Sequence, residues 1–533
     1  MLYNNFHANE VNKVGIVMNR EKKLNKKNDI KEKNKNKKNV LLFVFSFIFI
    51  LLAVSAIWSK IYFGKLSFNQ IIYAISMPLK CTDHSLITKY IVFAILPSIL
   101  LTYSLYHLYN KVVVRKFLDK LERRRRETLS KRILSLVTCI FVIIGLYFAE
   151  VTWNISGYIS ASNVNSNFIE NHYFHPEEQE IKFPENKRNL IYIYLESMET
   201  SYQNRKSGGG FEVSRIPELT KLAEENISFS RTEDFVGGYN PYNTTWTIAG
   251  MVAQTAGLPL NIPVGRNQMS RFEEFMPGVT NLGDILEENG YKNYIMFGSD
   301  AKFAGRDNYY SQHGNYEIYD LKWALESGKL PEGKNDFWGF QDSRLFQYAK
   351  EKLREISKED EPFNFTLLTV DTHAQDGYLN EYSSKLFDDQ YSNVIRGSSR
   401  QVYDFVRWIQ KQDWYENTTI ILTGDHLTMD KDYDEEMDED TIRGVYNCII
   451  NPFPGVEKNA RLKNREFTTL DGFPTILAAI GCDIKDDSLG LGVNLFSDKE
   501  TLAEIYSYEA LDEEFKKSSE FYYKEFLGIG RNK

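Results

Sequence analysis

Three stretches of the chain, Val40 to Trp58, Tyr90 to Tyr109 and Ile133 to Ala149, are uncharged and mostly apolar for close to the thickness of a bilayer. Each predicts a transmembrane helix, because helices buried in a soluble core seldom lack a charged residue over roughly 17–20 positions. The second contains Pro97 and His107, which a membrane helix tolerates at a cost in apolarity. After Val151 the pattern changes to short β-forming runs separated by amphipathic stretches. Strands are predicted to end at Glu196, over Tyr291 to Phe297, before Asp371 and over Thr418 to Thr423. Helices are predicted near Ile216 to Glu225, after Asn243, and over Thr280 to Asn289, Ser399 to Lys411 and Asp471 to Ile480. This alternation implies an α/β sandwich with a mainly parallel central sheet. Gly208 to Gly210 and Asp432 to Asp440 read as loops; the second holds seven acidic residues without EF-hand spacing, which suits a solvated loop better than a cation site.

Charge sets the topology. Lys13 to Lys38 holds eleven Lys and Arg, the 59–88 loop three and the 110–132 loop ten, so the N-terminus and second loop are expected on the cytoplasmic side. Three crossings then carry everything after about Val151 to the outside. A basic run directly before a membrane helix is a topology signal rather than a nucleic-acid arm, and no nucleic-acid partner is expected. No signal-peptide cleavage pattern is evident, so the first helix is expected to be retained. The resulting division is a basic tail (1–39), a membrane domain (40–151), a linker (152–187), an extracytoplasmic catalytic domain (188–500) and a helical extension (501–533). The net charge of −8 conceals a basic membrane part and an acidic exterior. Four cysteines exclude a disulfide framework; a Cys448–Cys482 bridge is permitted outside the cytoplasm but not implied.

The candidate chemistry sits at strand ends. Thr418 to Thr423 runs into Asp425 and His426, the first exterior strand into Glu196, another into Asp371 and His373, and the fourth into a loop carrying Arg306. Open α/β sheets bind ligands at this edge. Glu196, Asp425 and His426 form an oxygen-rich set with one nitrogen, suited to a divalent ion such as Mn²⁺ or Mg²⁺. The turn-rich Gly237 to Met251 segment offers Thr244, Thr245 and Thr247 where a helix begins. A threonine there is ordinarily a helix cap, but beside a metal its hydroxyl becomes a nucleophile suited to phosphoryl or sulfuryl transfer.

Over Asn189 to Ser497 these residues resemble the alkaline phosphatase and sulfatase superfamily, specifically its membrane branch of lipoteichoic acid synthases and phosphoglycerol transferases. The carriers are Leu195-Glu196-Ser197, the threonine opening a helix, the Asp425-His426 pair and the stretch Thr469 to Leu477. The resemblance implies Thr245 as nucleophile and metal ligand, with Glu196, Asp425 and His426 as the other ligands and Arg306 and His373 as substrate-binding residues. The Thr-Trp-Thr-Ile-Ala-Gly-Met run, Asp-Thr-His and Leu489 to Ser497 look more like glycan-decorating phosphoglycerol transferases than polymerases. Phe297 and Ala304 stand where the polymerases carry His and Trp for the glycerol headgroup, and three membrane helices replace the polymerases' usual five. The sulfatase Cys-x-Pro-x-Arg setting is absent.

The implied reaction moves glycerophosphate from phosphatidylglycerol to a surface or periplasmic glycan through a covalent phospho-threonine. The alternatives are a phosphoethanolamine transferase, a lipoteichoic acid synthase and a non-catalytic glycan-binding envelope protein.

Overall fold

The three apolar runs form helices long enough to cross a membrane, Val40–Phe63, Leu86–Leu108 and Arg132–Trp153. The computed structural model describes residues 40–63, 66–76, 84–109, 111, 123–261, 274–331, 338–430, 433, 437–438 and 440–528. The basic tail, Cys81 and most of the acidic 432–440 loop lie outside the described residues. Gly145 lets the third membrane helix approach the first so closely that a β-carbon there would lie 2.5 Å from the Phe49 carbonyl oxygen. The Ser46 and Thr138 hydroxyls meet across the same contact at 3.1 Å. The second helix passes through a π turn at Ile91–Ile95, just before Pro97, whose missing N–H interrupts the regular ladder.

The chain forms two compact units. One comprises the chain to Ser59 and Ser85–Trp153; the other joins Lys60–His84 to Asn154–Lys533. The loop between the first two membrane helices therefore belongs structurally to the exterior unit. It contains helix α1 (Phe68–Ser76).

The exterior unit is organised by a six-stranded sheet. In chain order its strands are β1 (Asn189–Leu195), β2 (Lys292–Phe297), β3 (Glu317–Tyr319), β4 (Phe363–Leu368), β5 (Thr418–Gly424) and β6 (Asn447–Ile450). In space they run β3-β2-β4-β1-β5-β6, all parallel except β6. Both faces are covered, so the strands are nearly continuously apolar instead of alternating. Leu190, Tyr192 and Tyr194 pack on one side with helices α3 (Thr247–Ala256) and α6 (Gly472–Ala479). Ile191, Ile193 and Leu195 pack on the other with α2 (Pro217–Glu225), α4 (Asp342–Ile356) and α5 (Gln390–Ile409). Register aligns the carboxyl ends: Leu195 pairs with Gly424, Tyr194 with Leu368, and Leu368 with Phe297.

The expected mainly parallel α/β sandwich is thus present, with differences at the element ends. Helix α5 starts at Gln390, nine residues before the predicted Ser399, because Asp389 caps it by accepting a hydrogen bond from Ser392 N–H. Helix α4 and strands β3 and β6 were not predicted. The segment expected to be a linker carries helices Ile155–Ser162 and Phe168–His172 and a strand, Ile181–Lys182, that pairs with Asp483–Ile484. The C-terminal extension is helical, with segments Leu502–Tyr506, Tyr508–Lys516 and Glu520–Glu525. Cys448 and Cys482 are free, buried thiols, and burial pushes Cys448 up to about 12.

A buried histidine ties the helix before β2 to its surroundings. His313 Nδ1 faces Asp284 Oδ2 at 3.1 Å and Nε2 faces the Phe275 carbonyl at 2.8 Å. Both partners only accept, so the ring is held as the imidazolium. Burial pushes its pKa down, but Asp284 and the carbonyl outweigh this and the net shift is upward from 6.5. A raised folded-state value means stability that is full below the unfolded value and lost as pH rises through the folded one. The melting-temperature gap between the native protein and His313→Gln is therefore expected to be widest near pH 5.5 and to shrink as pH climbs past about 6.5. A gap constant from pH 5.5 to 9 would show that the ring is neutral in the fold.

Candidate active site

Because Leu195 and Gly424 are paired, the next residues of β1 and β5 leave the sheet side by side, and Glu196 and Asp425 share one buried site with His426. Ligand atoms of the three lie within 4.8 Å of one another. Ser197, at a φ of 53°, turns the chain sharply after Glu196. Its N–H donates to Asp425 Oδ1 at 2.8 Å and its hydroxyl to Glu196 Oε1 at 2.8 Å. His426 N–H also donates to Asp425 Oδ1, at 2.9 Å. Behind them, buried Glu199 pairs with both Arg443 Nε (2.7 Å) and Nη2 (2.6 Å) and accepts from Thr428 N–H, joining the loops that follow β1 and β5.

The electrostatics of this cluster call for a cation. His426 Nδ1 donates to the Leu427 carbonyl at 2.8 Å, which fixes the tautomer and leaves Nε2 with its lone pair. That nitrogen lies 3.4 Å from Glu196 Oε1 and 3.4 Å from Asp425 Oδ2. Neither it nor Asp425 Oδ2 has a hydrogen-bond partner, although both are buried. Three electron-rich atoms facing one another in a dry site repel unless a positive ion lies between them. Burial, then the charge of Glu196, pushes Asp425 well above the ordinary carboxylate range. The donor set fits a divalent ion that accepts oxygen and imidazole ligands.

Helix α3 is seated on this cluster through Gly250, where a β-carbon would lie 2.1 Å from the Asp425 carbonyl oxygen. Gln254 reinforces the seat by donating to the Gly424 carbonyl at 2.9 Å. The three candidate threonines then separate by role. Thr244 is buried and committed to its turn, donating to the Pro241 carbonyl at 2.7 Å and accepting from Asn240 at 2.8 Å. Thr247 is the first helical residue, and its hydroxyl donates to Glu196 Oε2 at 3.3 Å. Thr245, half-buried, precedes the Trp246 cap, and its hydroxyl accepts from Gln70 of α1 at 3.2 Å. The predicted nucleophile thus lies just ahead of the helix rather than inside its first turn.

His373 and Arg306 lie at the same sheet edge after different strands, His373 in a loop and Arg306, expected in a loop, as the first residue of the helix Arg306–Gln312. His373 Nδ1 donates to the Ala374 carbonyl at 2.7 Å, and its ring packs against Trp338 at 4.6 Å. Arg306 follows β2, separated from β1 by β4; it is buried, bonded to Ser299 Oγ at 2.8 Å and to the Asp300 and Phe303 carbonyls, and stacked 4.5 Å over Phe297. Asp371, the other strand-end carboxylate, works as a brace: it accepts from Asp342 N–H and Asn380, while Asp342 accepts from the N–H groups of Val370 and Asp371. Thr247, Trp338 and Gln70 carried no distinguishing signal in the sequence beyond, for Thr247, its place in the threonine run.

A mainly parallel sheet with a buried acid–acid–imidazole cluster at its carboxyl edge and a threonine loop seated against it is an α/β architecture with a candidate metal site. The sulfatase family model matches residues 188–481, and the chain belongs to that family. Over 329 residues it is 31% identical to phosphoglycerol transferase I of Escherichia coli O127:H6, covering 61% of this chain and 41% of that protein. The same enzyme from the K12 strain MC4100 matches equally, at 31% over 329 residues. The chain thus spans less than half the length of these relatives. Among solved structures, a protein in the alkaline phosphatase superfamily from Vibrio parahaemolyticus is 18% identical with a TM-score of 0.47, covering 65% of this chain and 78% of its own. Lipooligosaccharide phosphoethanolamine transferase A from Neisseria meningitidis is 14% identical with a TM-score of 0.48, covering 84% of each chain.

Gly250→Ala is expected to cost about 1–3 kcal/mol by overpacking and to weaken metal binding, because the Asp425 backbone must move. Asp425→Asn separates two effects. Without metal it is expected to melt higher than the native protein, since the repulsion from Glu196 is gone, and added Mn²⁺ is expected to stabilise the native protein but not the variant. Thermal melts with chelator and with Mn²⁺ check both statements; equal stabilisation of both proteins would remove Asp425 from the metal site.

Proposed function

We propose that this protein is a metal-dependent phosphotransferase of the cell envelope that moves glycerophosphate from phosphatidylglycerol to a surface or periplasmic glycan. The observation that carries the reading is the buried Glu196–Asp425–His426 cluster with its two unpartnered ligand atoms, beside a reachable threonine within the family match. The glycerophosphate donor is favoured by the similarity to phosphoglycerol transferase I.

A divalent ion, Mn²⁺ or Mg²⁺, held by Glu196, Asp425 and His426, with Thr245 as a further ligand, would supply Lewis-acid stabilisation of phosphoryl charge and a lower hydroxyl pKa. Thr245 Oγ forms the new bond to phosphorus as the bond to the diacylglycerol oxygen breaks. The electron pair leaves with that oxygen, which gains a proton as Thr245 loses one. Thr247 holds Glu196 in place through its hydroxyl, so the carboxylate presents a fixed oxygen to the site. His373, its Nδ1 proton committed to a carbonyl and its ring packed against Trp338, is assigned to the donor headgroup. Arg306, fixed by three loop contacts, is assigned to the donor phosphate. In the second half-reaction an acceptor hydroxyl attacks as it gives up its proton, and Thr245 leaves with the electron pair and regains a proton.

The test is mass spectrometry of the full chain with Mn²⁺ and either phosphatidylglycerol or phosphatidylethanolamine, beside Thr245→Ala. A glycerophosphoryl adduct on the Thr245 peptide, seen with phosphatidylglycerol alone and lost in the variant while its melting temperature is kept, is the expected result. An ethanolamine phosphate adduct would make the protein a phosphoethanolamine transferase. An adduct on Thr247 would move the nucleophile two residues, and full turnover by Thr245→Ala would remove it.

A further inference from the structure

Helix α1, from the loop between the first two membrane helices, delivers a side chain onto the nucleophile of the reaction proposed above. Its sequence, Ser67-Phe68-Asn69-Gln70, forms a reciprocal cap: Ser67 N–H donates to Gln70 Oε1 at 2.7 Å, and Gln70 N–H donates to Ser67 Oγ at 3.3 Å. The cap settles which end of the amide faces where. With Oε1 committed to Ser67, the NH₂ group points away and donates to Thr245 twice, at 3.2 Å to Oγ1 and 3.3 Å to the main-chain carbonyl. The adjacent Asn69 is buried and donates to Asn243 Oδ1 at 3.0 Å; Asn243, at a φ of 62°, in turn donates to Asn261. Two consecutive residues of α1 therefore grip the threonine loop, one at its left-handed turn and one at the threonine hydroxyl itself. The segment leading to α1 is held separately, where the Gln375 side chain donates to the Tyr62 carbonyl.

We propose that Gln70 is a catalytic residue, its amide a fixed donor to Thr245 Oγ that stabilises negative charge on that oxygen. Once Thr245 has given up its proton, Oγ carries three lone pairs, one accepting from the amide N–H, one for the ion it would share with Glu196, and one for phosphorus. As the Oγ–P bond forms and Thr245 gives up its proton, the amide hydrogen bond shortens onto the more negative oxygen. When the acceptor hydroxyl displaces Thr245 from phosphorus, the same N–H meets the departing oxygen until it is reprotonated. Donors aimed at a developing oxyanion have this differential effect, being stronger in the transition state than in the ground state. The second bond, to the Thr245 carbonyl, keeps the donor in register with the hydroxyl. The first exterior loop thereby becomes part of the active site, although more than 170 residues separate it from Thr245 in sequence.

This inference rests on Thr245 being the nucleophile, and the test keeps the two apart. Gln70→Glu preserves the cap, because glutamate serves equally at that position, but replaces the donor with an acceptor. Gln70→Met removes the donor without adding charge. In the full chain, reconstituted with phosphatidylglycerol and Mn²⁺, rapid-quench mass spectrometry follows growth of the Thr245 adduct. Both variants are expected to form it ~100-fold more slowly at saturating lipid. The KM of Gln70→Met is expected within about twofold of native, because the interaction lost belongs to the transition state. Melting temperature and bound manganese should be unchanged in Gln70→Glu, which a merely structural cap would also show, so the rate at saturation is the deciding measurement. Native adduct formation in both variants overturns the role of Gln70 and leaves Thr245 intact. Absence of a Thr245 adduct in the native protein overturns both.

Discussion

Everything at the working edge of this protein depends on one electrostatic arrangement, two carboxylates and an imidazole lone pair confined together out of water. Taken alone it is unfavourable: each group is desolvated, and Asp425 is driven far above its ordinary range by burial and by Glu196. The surrounding structure absorbs that cost. Ser197 and His426 donate backbone N–H groups to Asp425, Leu427 draws the imidazole proton away from the cluster, and the Glu199–Arg443 pair clamps the loops that carry the ligands. A cation placed among these three groups would turn the repulsion into a binding energy and link the protein's stability to occupancy of the cluster.

The threonine loop is the second element of the same design. Its three hydroxyls have distinct environments because backbone geometry, not residue type, assigns them. Thr244 is consumed by its turn, Thr247 braces Glu196, and Thr245 is left half-buried with its hydroxyl facing Gln70. Gly250 sets the depth at which this loop stands over β5, since any side chain there would strike the Asp425 carbonyl. The placement of Thr245 is thus decided one helical turn away from it.

Much of this was legible in the sequence because buried parallel strands announce themselves. The runs ending at Glu196 and Asp425 are continuous apolar segments stopped by a charged residue, and the membrane helices are uncharged over a bilayer's thickness. The three metal-cluster residues needed only that reading. Helix α4 was missed although its apolar face is regular, because it follows a turn region with no strand signal before it. Strand β6 has just four residues, Asn447–Ile450, too few to show a period. The partnership of Gln70 with Thr245 could not be read at all: a capping sequence predicts a helix start, while the direction in which its spare donor points depends on tertiary packing. The same holds for Trp338 beside His373.

Why β1 and β5 keep the register that brings Glu196 to Asp425 has a separate physical answer. Where one face of a strand is polar, a one-residue slip is punished by exposing apolar side chains, but β1 is buried on both faces and lacks that safeguard. Its register is pinned instead at the opposite end. Arg188 donates to Thr419 Oγ1 at 3.0 Å and to the carbonyls of Thr418 and Asn451, and Asn189 accepts from Phe363 N–H at 3.1 Å. These polar contacts fix β1 against both its neighbours before the apolar segment begins. Seven residues later the strand delivers its carboxylate at the only height where the partner acid on β5 stands beside it. The chemistry at the carboxyl edge is therefore set by hydrogen bonds at the amino edge, a strand's length away.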